Sequence, residues 1–257
     1  MQKLEINGNK NLVISKEEEM VLTGSGTIEL VVEPNVNTKV LLKDANLNIN
    51  LTLKDYSNLS LVCLAYNESK NELNVNVDSN ANFDYKFLSL SKSCEQLNIN
   101  LNGYKASTNI EYLSLNKDCS SSFNQQVFHN AKETSSKVNN VGLALNNSHI
   151  DFKTIGKINK GMSKSNCNQL ARGIIIGDKA YITSEPILKI DEFDVKANHG
   201  TAIGRMSDNE LFYLMSRGLK KEEAYKLILF GLINPIIYSI WAKEESQEFL
   251  DNLNKLI

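Results

Sequence analysis

The sequence is short of proline, histidine and paired cysteines, and these shortages exclude several classes of protein. Its 257 residues include 3 prolines, 3 histidines and 4 cysteines. The cysteines are far apart and form no CxxC pair, which argues against a structural zinc site. The formal net charge is only −2, so we expect no general attraction to nucleic acid or to an anionic membrane.

Long apolar runs and a secretion signal are also lacking. The most apolar run, Leu227 to Trp241, contains Asn234 and Pro235 and is shorter than the roughly 20 residues that span a bilayer. The N-terminal stretch MQKLEINGNKN has no apolar segment of signal-peptide length. We therefore expect a cytoplasmic protein with reduced cysteines, in which the apolar run is a buried helix.

Short runs of alternating apolar and polar residues recur along the first part of the chain. They are clearest at residues 47–53, 59–63, 73–77, 83–87 and 97–101. This alternation predicts strands with one buried face, and regularly spaced short strands fit either a β-helix or a β-sandwich. Hairpin signals are scarce apart from Asn102-Gly103, which favours the β-helix, in which corner asparagines can form ladders between stacked coils.

The periodicity becomes helical after residue 205. Ser207-Asp-Asn-Glu210 has the pattern of a capping box, and Gly218 stands where a helix-terminating glycine is expected. A second helix is predicted from about Lys220, with a break or restart at Asn234-Pro235, and a last helix follows. The pattern therefore predicts a β domain over residues 1–205 and a helical domain over residues 206–257.

Three linked motifs between Arg172 and Ile233 resemble the SufB/SufD family of iron–sulfur cluster assembly scaffolds. They are the strand pair Arg172–Ile190, the loop DVKANHGTAIG at Asp194–Gly204, and LFYLMSRG at Leu211–Gly218. The resemblance implies a right-handed parallel β-helix with a small C-terminal α-helical domain. It also implies a non-catalytic scaffold that docks the SufC ABC ATPase and pairs with a SufB-like subunit or a second copy of itself.

The same resemblance implies a site for a transient iron–sulfur cluster at a subunit interface. His199 matches the interface histidine of the family, and a neutral imidazole suits iron. Gly200 beside it permits tight turning and close approach of a partner. Cys167 and His129 are weaker candidates for the same site. Flavin is known in some complexes of the family, although no residue here points to it.

Differences from the family pattern favour a D-like over a B-like subunit. Gly200 stands where B-type subunits carry glutamate, and Ala171 aligns with their cysteine. Ala197 stands where many D-type subunits carry cysteine. The chain is also shorter than typical members, and we expect it to lack their N-terminal helical region.

The resemblance assigns SufC docking to Phe212, Tyr213, Arg217 and Gly218. An arginine there can pair with a carboxylate across an interface. The alternative is that these residues form only helix core, cap and stop.

Two other functions stay open. One is a β-solenoid carbohydrate-active enzyme, which needs paired carboxylates, whereas Asp84, Glu111 and Asp118 are scattered in the sequence. The other is a self-associating structural β-helix.

Overall fold

The computed structural model describes residues 1–257 and contains fifteen strands followed by three helices. The strands are β1 (Gln2–Ile14), β2 (Glu19–Val32), β3 (Asn37–Lys43), β4 (Asn46–Leu53), β5 (Asn58–Ala65), β6 (Ser69–Val77), β7 (Asn82–Ser89), β8 (Ser93–Leu101), β9 (Ser107–Lys117), β10 (Ser120–His129), β11 (Ser135–Leu145), β12 (His149–Ile158), β13 (Asn166–Ile176), β14 (Tyr181–Ile190) and β15 (Lys196–Arg205). The helices are α1 (Asp208–Ser216), α2 (Lys221–Tyr238) and α3 (Lys243–Leu256).

The strands form two parallel faces that meet at β2. Even-numbered strands follow one another from β4 to β14 on one face, and odd-numbered strands from β3 to β15 on the other. The first part of β2 pairs with β3 and its second part with β4, while β1 pairs along β2. Each coil thus gives one strand to each face, which confirms the predicted parallel β-helix.

Alternation along each strand builds the interior. In β6, for example, Leu73, Val75 and Val77 point inward and are fully buried, and Asn74 and Asn76 point outward. Forty buried residues form one continuous cluster inside the coils. Burying one such aliphatic side chain contributes about 1.5–3 kcal/mol to the free energy of unfolding. A single coil would leave these side chains exposed, so the fold is stabilised mainly by the stacking of coils.

Corner residues hold the coils in register. Asn80 and Lys105 have φ of 56° and 58°, a conformation that asparagine tolerates better than most residues. Their backbone N–H groups donate to the corner carbonyls of Tyr104 and Lys132 in the following coil, at 2.8 and 3.2 Å. A predicted asparagine ladder is present beside these corners. It consists of Asn76, Asn102, Asn130 and Asn159, joined by amide hydrogen bonds of 3.2, 3.0 and 3.3 Å.

Helices α2 and α3 cover the outer surface of the odd-numbered face. An apolar cluster joins strand residues such as Val62 and Leu113 to Ile237 and Phe249 of the helices. Strand β15 ends at Arg205 and α1 begins at Asp208; the division into domains at residue 205 stays a prediction. None of the three helices is long and apolar enough to cross a membrane.

The predicted helix break at Asn234-Pro235 is wrong. Helix α2 continues through Pro235 to Tyr238, and the chain turns only before α3. Pro235 lies in the last turn of the helix and has no N–H to donate to the preceding turn, so the helix gives up one hydrogen bond there. Ile233 and Ile237, on either side of it, are fully buried against the sheet, so packing outweighs the proline penalty.

Candidate functional site

His199 lies on β15, the last strand of the odd-numbered face. This strand pairs only with β13, where Gln169 is the neighbour of His199 in register. Because side chains alternate along a strand, His199 shares a face with Ile203, which packs against the interior cluster. No further coil covers this end, so His199 is exposed. The fold therefore directs this imidazole toward the open end of the coil interior.

The segment around His199 differs from the sequence prediction in one respect. Residues predicted as a loop form the extended strand β15, and Gly200 lies within it rather than at a tight turn. A Cβ at Gly200 would be in ordinary contact, 3.5 Å from Leu170 Cδ1. The predicted turning role of Gly200 is therefore wrong; its approach to a partner stays a prediction.

Cys167 lies on β13, one coil inward from β15. Its neighbour in register on β15 is Ala197, so it lies next to the strand that carries His199. The thiol is 1% exposed. Burial raises its pKa, and a hydrogen bond with Ser136 lowers it by less. A Cβ at Gly156 would lie 2.4 Å from Cys167 Sγ, so the absence of a side chain there makes the space that the thiol occupies.

His129 ends β10 and faces the interior, where it is fully buried. Its Nδ1 lies 2.8 Å from Thr134 Oγ1 and its Nε2 lies 2.9 Å from Ser136 Oγ. Burial lowers its pKa to about 4, so the ring is neutral near pH 7. Because both nitrogens are already hydrogen-bonded, a role as a second iron ligand would require one of these bonds to break.

A group of polar residues lines the interior of the last coils, and the sequence interpretation missed it. Its members, all at least 96% buried, are Gln125, Thr134, Ser136, Asn140, Thr154, Ser165 and Gln169. Many of them bond one another, as Gln125 and Asn140 do through two amide bonds of 2.9 Å. The available signal was a polar residue at an inward position of an otherwise alternating strand.

The second candidate surface is on α1. Leu211 anchors the helix, while Phe212 and Tyr213 point outward and are 74% and 57% exposed. The Arg217 guanidinium lies 5.3 Å from the centre of the Tyr213 ring, within the range of a cation–π contact. Gly218 has φ of 97° and terminates the helix as predicted, so the fold alone accounts for this glycine.

Comparison with known proteins identifies the chain's family. Residues 27–232 match the family described as SUF system FeS cluster assembly, SufBD core domain. The chain belongs to the SufBD core family. The iron-sulfur cluster assembly protein SufD of Bacillus subtilis is 38% identical over 115 residues, which cover 45% of this chain and 26% of that protein.

Two further SufBD family proteins are similar over a slightly longer segment. An iron-sulfur cluster assembly SufBD family protein of Mycobacterium bovis is 30% identical over 132 residues, 51% of this chain and 15% of its own length. A Staphylococcus haemolyticus protein of that description is 25% identical over 132 residues, 51% of this chain and 27% of its own length. The aligned segments thus cover about a quarter or less of these relatives.

Both candidate surfaces lie inside the SufBD match. It begins within β2 and ends within α2, and so includes β15 with His199 and α1 with Phe212. A surface cavity of about 600 Å³ lies at the N-terminal ends of β2, β3, β5 and β7. Asp84 lines it, but none of the residues predicted to bind the cluster or SufC does. No group of three or more His, Cys, Asp or Glu side chains converges to hold a metal ion.

The carboxylates considered for a glycosidase are partly brought together by the fold. Asp84 and Glu111, which the sequence separates, share the outer surface of the odd-numbered face. Lys86 Nζ lies between them, 3.2 Å from Asp84 and 2.9 Å from Glu111. The lysine offsets one of the two negative charges and fills the space between the carboxylates, where a glycosidase must admit its substrate.

Proposed function

We propose that this SufBD family chain is a non-catalytic scaffold subunit for iron–sulfur cluster assembly. In this proposal its open end pairs with a SufB-like subunit or with a second copy, and α1 docks the SufC ATPase. The observation that carries it is the exposed His199 on an uncapped terminal strand.

The two terminal strands support pairing at the open end. Strands β14 and β15 each have a single neighbour, so their outer edges offer unpaired backbone N–H and C=O groups. Partly buried apolar side chains lie beside these edges, among them Ile187 and Ile203. An added strand from another chain would pair the backbone and cover the side chains together.

His199 supports a cluster at this interface. An imidazole nitrogen is a suitable iron ligand, and the His199 side chain reaches the surface that pairing would bury. One imidazole supplies one ligand, so the proposal requires the remaining ligands from the partner chain. The cluster is then cargo held at an interface that opens and closes, rather than a resident cofactor of this chain.

Anaerobic reconstitution with iron and sulfide tests the role of His199. We expect the complex of His199→Ala with the partner subunit to hold no more than about a tenth of the cluster that the wild-type complex holds. Removing a direct ligand should lower the affinity for the cluster at least as much as removing a residue that only contacts a ligand. The readout is the visible absorbance of the cluster after gel filtration.

His149→Ala is the matched control for that measurement. His149 is on β12 and stacks on Tyr181, 3.9 Å between ring centres, away from the coil interior. The His149→Ala variant should show the visible absorbance spectrum of the wild-type cluster. Equal cluster content in His199→Ala and His149→Ala would remove His199 from the ligand set.

Helix α1 supports docking of SufC. It presents the exposed Phe212 and Tyr213 side by side and adds Arg217 against the tyrosine ring. Aromatic and arginine side chains are the residues that most often dominate binding energy in protein interfaces. These side chains make no contribution to the buried core, so packing within the fold does not account for aromatic residues at these positions.

Titration calorimetry of SufC with Phe212→Ala tests this surface. We expect Kd to rise by at least about 30-fold, the loss of a central aromatic contact worth about 2 kcal/mol. Tyr104→Ala, which removes a 46% exposed aromatic ring from a corner of the β-helix, should bind SufC as wild type does. Wild-type affinity in Phe212→Ala would contradict docking through α1.

A further inference from the structure

Glu95 is the one acidic side chain among the buried residues. It lies at an inward position of β8 and is 2% exposed. Its neighbours in register on the same face are Asn71 on β6 and Phe123 on β10. A carboxyl group among such neighbours carries a large desolvation cost when it is charged.

Two tyrosine hydroxyls are the hydrogen-bond partners of this carboxyl group. Tyr85 Oη donates to Oε2 at 2.8 Å, and Tyr112 Oη donates to Oε1. Both rings are fully buried. Burial next to Glu95 raises the pKa of each tyrosine, so both hydroxyls keep their protons.

No positive charge faces the carboxyl group. The titratable groups that face Glu95 are neutral ones: Cys63 from β5, Tyr85 from β7 and Tyr112 from β9. Burial also raises the pKa of Cys63, which keeps that thiol protonated. A charged Glu95 would therefore have hydrogen bonds but no counter-ion.

We propose that Glu95 is a proton switch inside the β-helix, which packs the middle coils most tightly when the carboxyl is neutral and loosens them when it is ionised. On ionisation the carboxyl O–H bond breaks, the proton passes to bulk water, and the electron pair stays on the carboxylate. On protonation a tyrosine hydroxyl rotates from donor to acceptor, so that the acid keeps its own hydrogen bond.

The balance of effects places this switch near neutral pH. Burial raises the pKa of Glu95 by more than the hydrogen bonds from Tyr112 and Tyr85 lower it, and the net change is from 4.5 to about 7. Because the folded protein holds the proton more tightly than the unfolded chain, this group's stabilisation is complete below pH 4.5. It is lost as the pH rises to about 7.

The size of the effect follows from the shift. Between pH 5 and pH 8, loss of the Glu95 proton should raise the unfolding equilibrium constant on the order of 70-fold. His129 acts with the opposite sign: burial lowers its pKa from 6.5 to about 4, so it destabilises the fold as the pH falls through that range. The effect of Glu95 is therefore measured by comparing the stability of a Glu95 variant with that of wild type at the same pH.

Urea denaturation of wild type and Glu95→Gln at pH 5 and pH 8 tests the proposal. Glutamine is neutral and has a similar shape, so the ratio of the wild-type unfolding constant to that of Glu95→Gln should rise on the order of 70-fold from pH 5 to pH 8, while the contribution of His129 cancels. Glu72→Gln, an exposed position on β6, is the control and should keep the wild-type dependence. Equal pH dependence in all three proteins would overturn the switch.

Two measurements on wild type do not depend on the variant folding. The ¹³C shift of the Glu95 carboxyl should titrate with a midpoint near 7, and a midpoint near 4.5 would contradict the proposal. Amide hydrogen exchange in β7, β8 and β9, corrected for intrinsic rates, should be faster at pH 8 than at pH 6. Unchanged exchange would show that ionisation does not loosen these coils.

Discussion

Replacing Phe123 by alanine is expected to reduce the free energy of unfolding by about 4 kcal/mol. Phe123 is 1% exposed and sits at the centre of an aromatic cluster. Its ring centre lies 5.3 Å from those of Tyr112 and Phe152 and 5.5 Å from that of Phe87. The substitution therefore leaves a cavity and also removes three aromatic contacts.

The neighbouring rings limit how far this cavity can close. They come from β7, β9 and β12, whose backbones are fixed by parallel pairing on either side. A rigid cavity costs more than one that can collapse. A loss of this size is a large part of the 5–15 kcal/mol that typically stabilises a domain. The midpoint of urea denaturation and the melting temperature measure it.

Phe128→Ala is the matched control on the same strand. Phe128 is five residues further along β10, on the outward side, and is only half-buried. The Phe128→Ala substitution should lower the free energy of unfolding by less than about 1 kcal/mol. Similar losses for the two variants would contradict the assignment of Phe123 to the interior and of Phe128 to the surface.

The strands could be predicted because their alternation is local. Each of the five clearest runs became a strand. The choice between a β-helix and a sandwich could not be made from local sequence, because it depends on which strands pair. Alternation identifies the buried side of a strand but not the partner of that strand, and paired residues of neighbouring strands are 18 to 32 positions apart in the sequence.

The site was predictable only in part, for a related reason. Motifs pointed to His199 and to Phe212, and both reach the surface. The burial of His129 and of Glu95 could not be inferred from residue type, because charged and polar residues are rarely buried without partners. Those partners, Ser136 for His129 and Tyr85 and Tyr112 for Glu95, lie on other strands and become neighbours only when the two faces of the β-helix close around the interior.

Tertiary packing also explains the error at Pro235. Proline disfavours a helix interior by about 3 kcal/mol, and that local preference predicted a break. Ile233, Ile236 and Ile237 bury their side chains against the sheet, and this gain is available only if the helix continues. The local preference of proline therefore predicted the wrong structure, because the packing of these isoleucines against the sheet stabilises the helix by more than the proline destabilises it.

Gly103→Ala is expected to destabilise the β-helix by about 3 kcal/mol, at the upper end of the range for overpacking. Gly103 lies at the corner between β8 and β9. A Cβ there would meet the backbone of the previous corner, 2.0 Å from Ser79 N and 2.2 Å from Asp78 C. Backbone cannot rotate away as a side chain can, so the two coils would have to separate and weaken the hydrogen bond from Gly103 N to Val77 O, now 3.2 Å.

Gly204→Ala separates this steric effect from the general effect of losing a glycine. A Cβ at Gly204 on β15 would meet no atom within 4 Å, and alanine reduces the entropy of the unfolded chain. Its stability should be unchanged or slightly higher, whereas Gly103→Ala should lower the midpoint of urea denaturation without changing the slope. If Gly103→Ala were as stable as Gly204→Ala, the close stacking of corners would not set the spacing of the coils. The position of β15 and of His199 at the open end depends on that spacing, since each coil is built on the one before it.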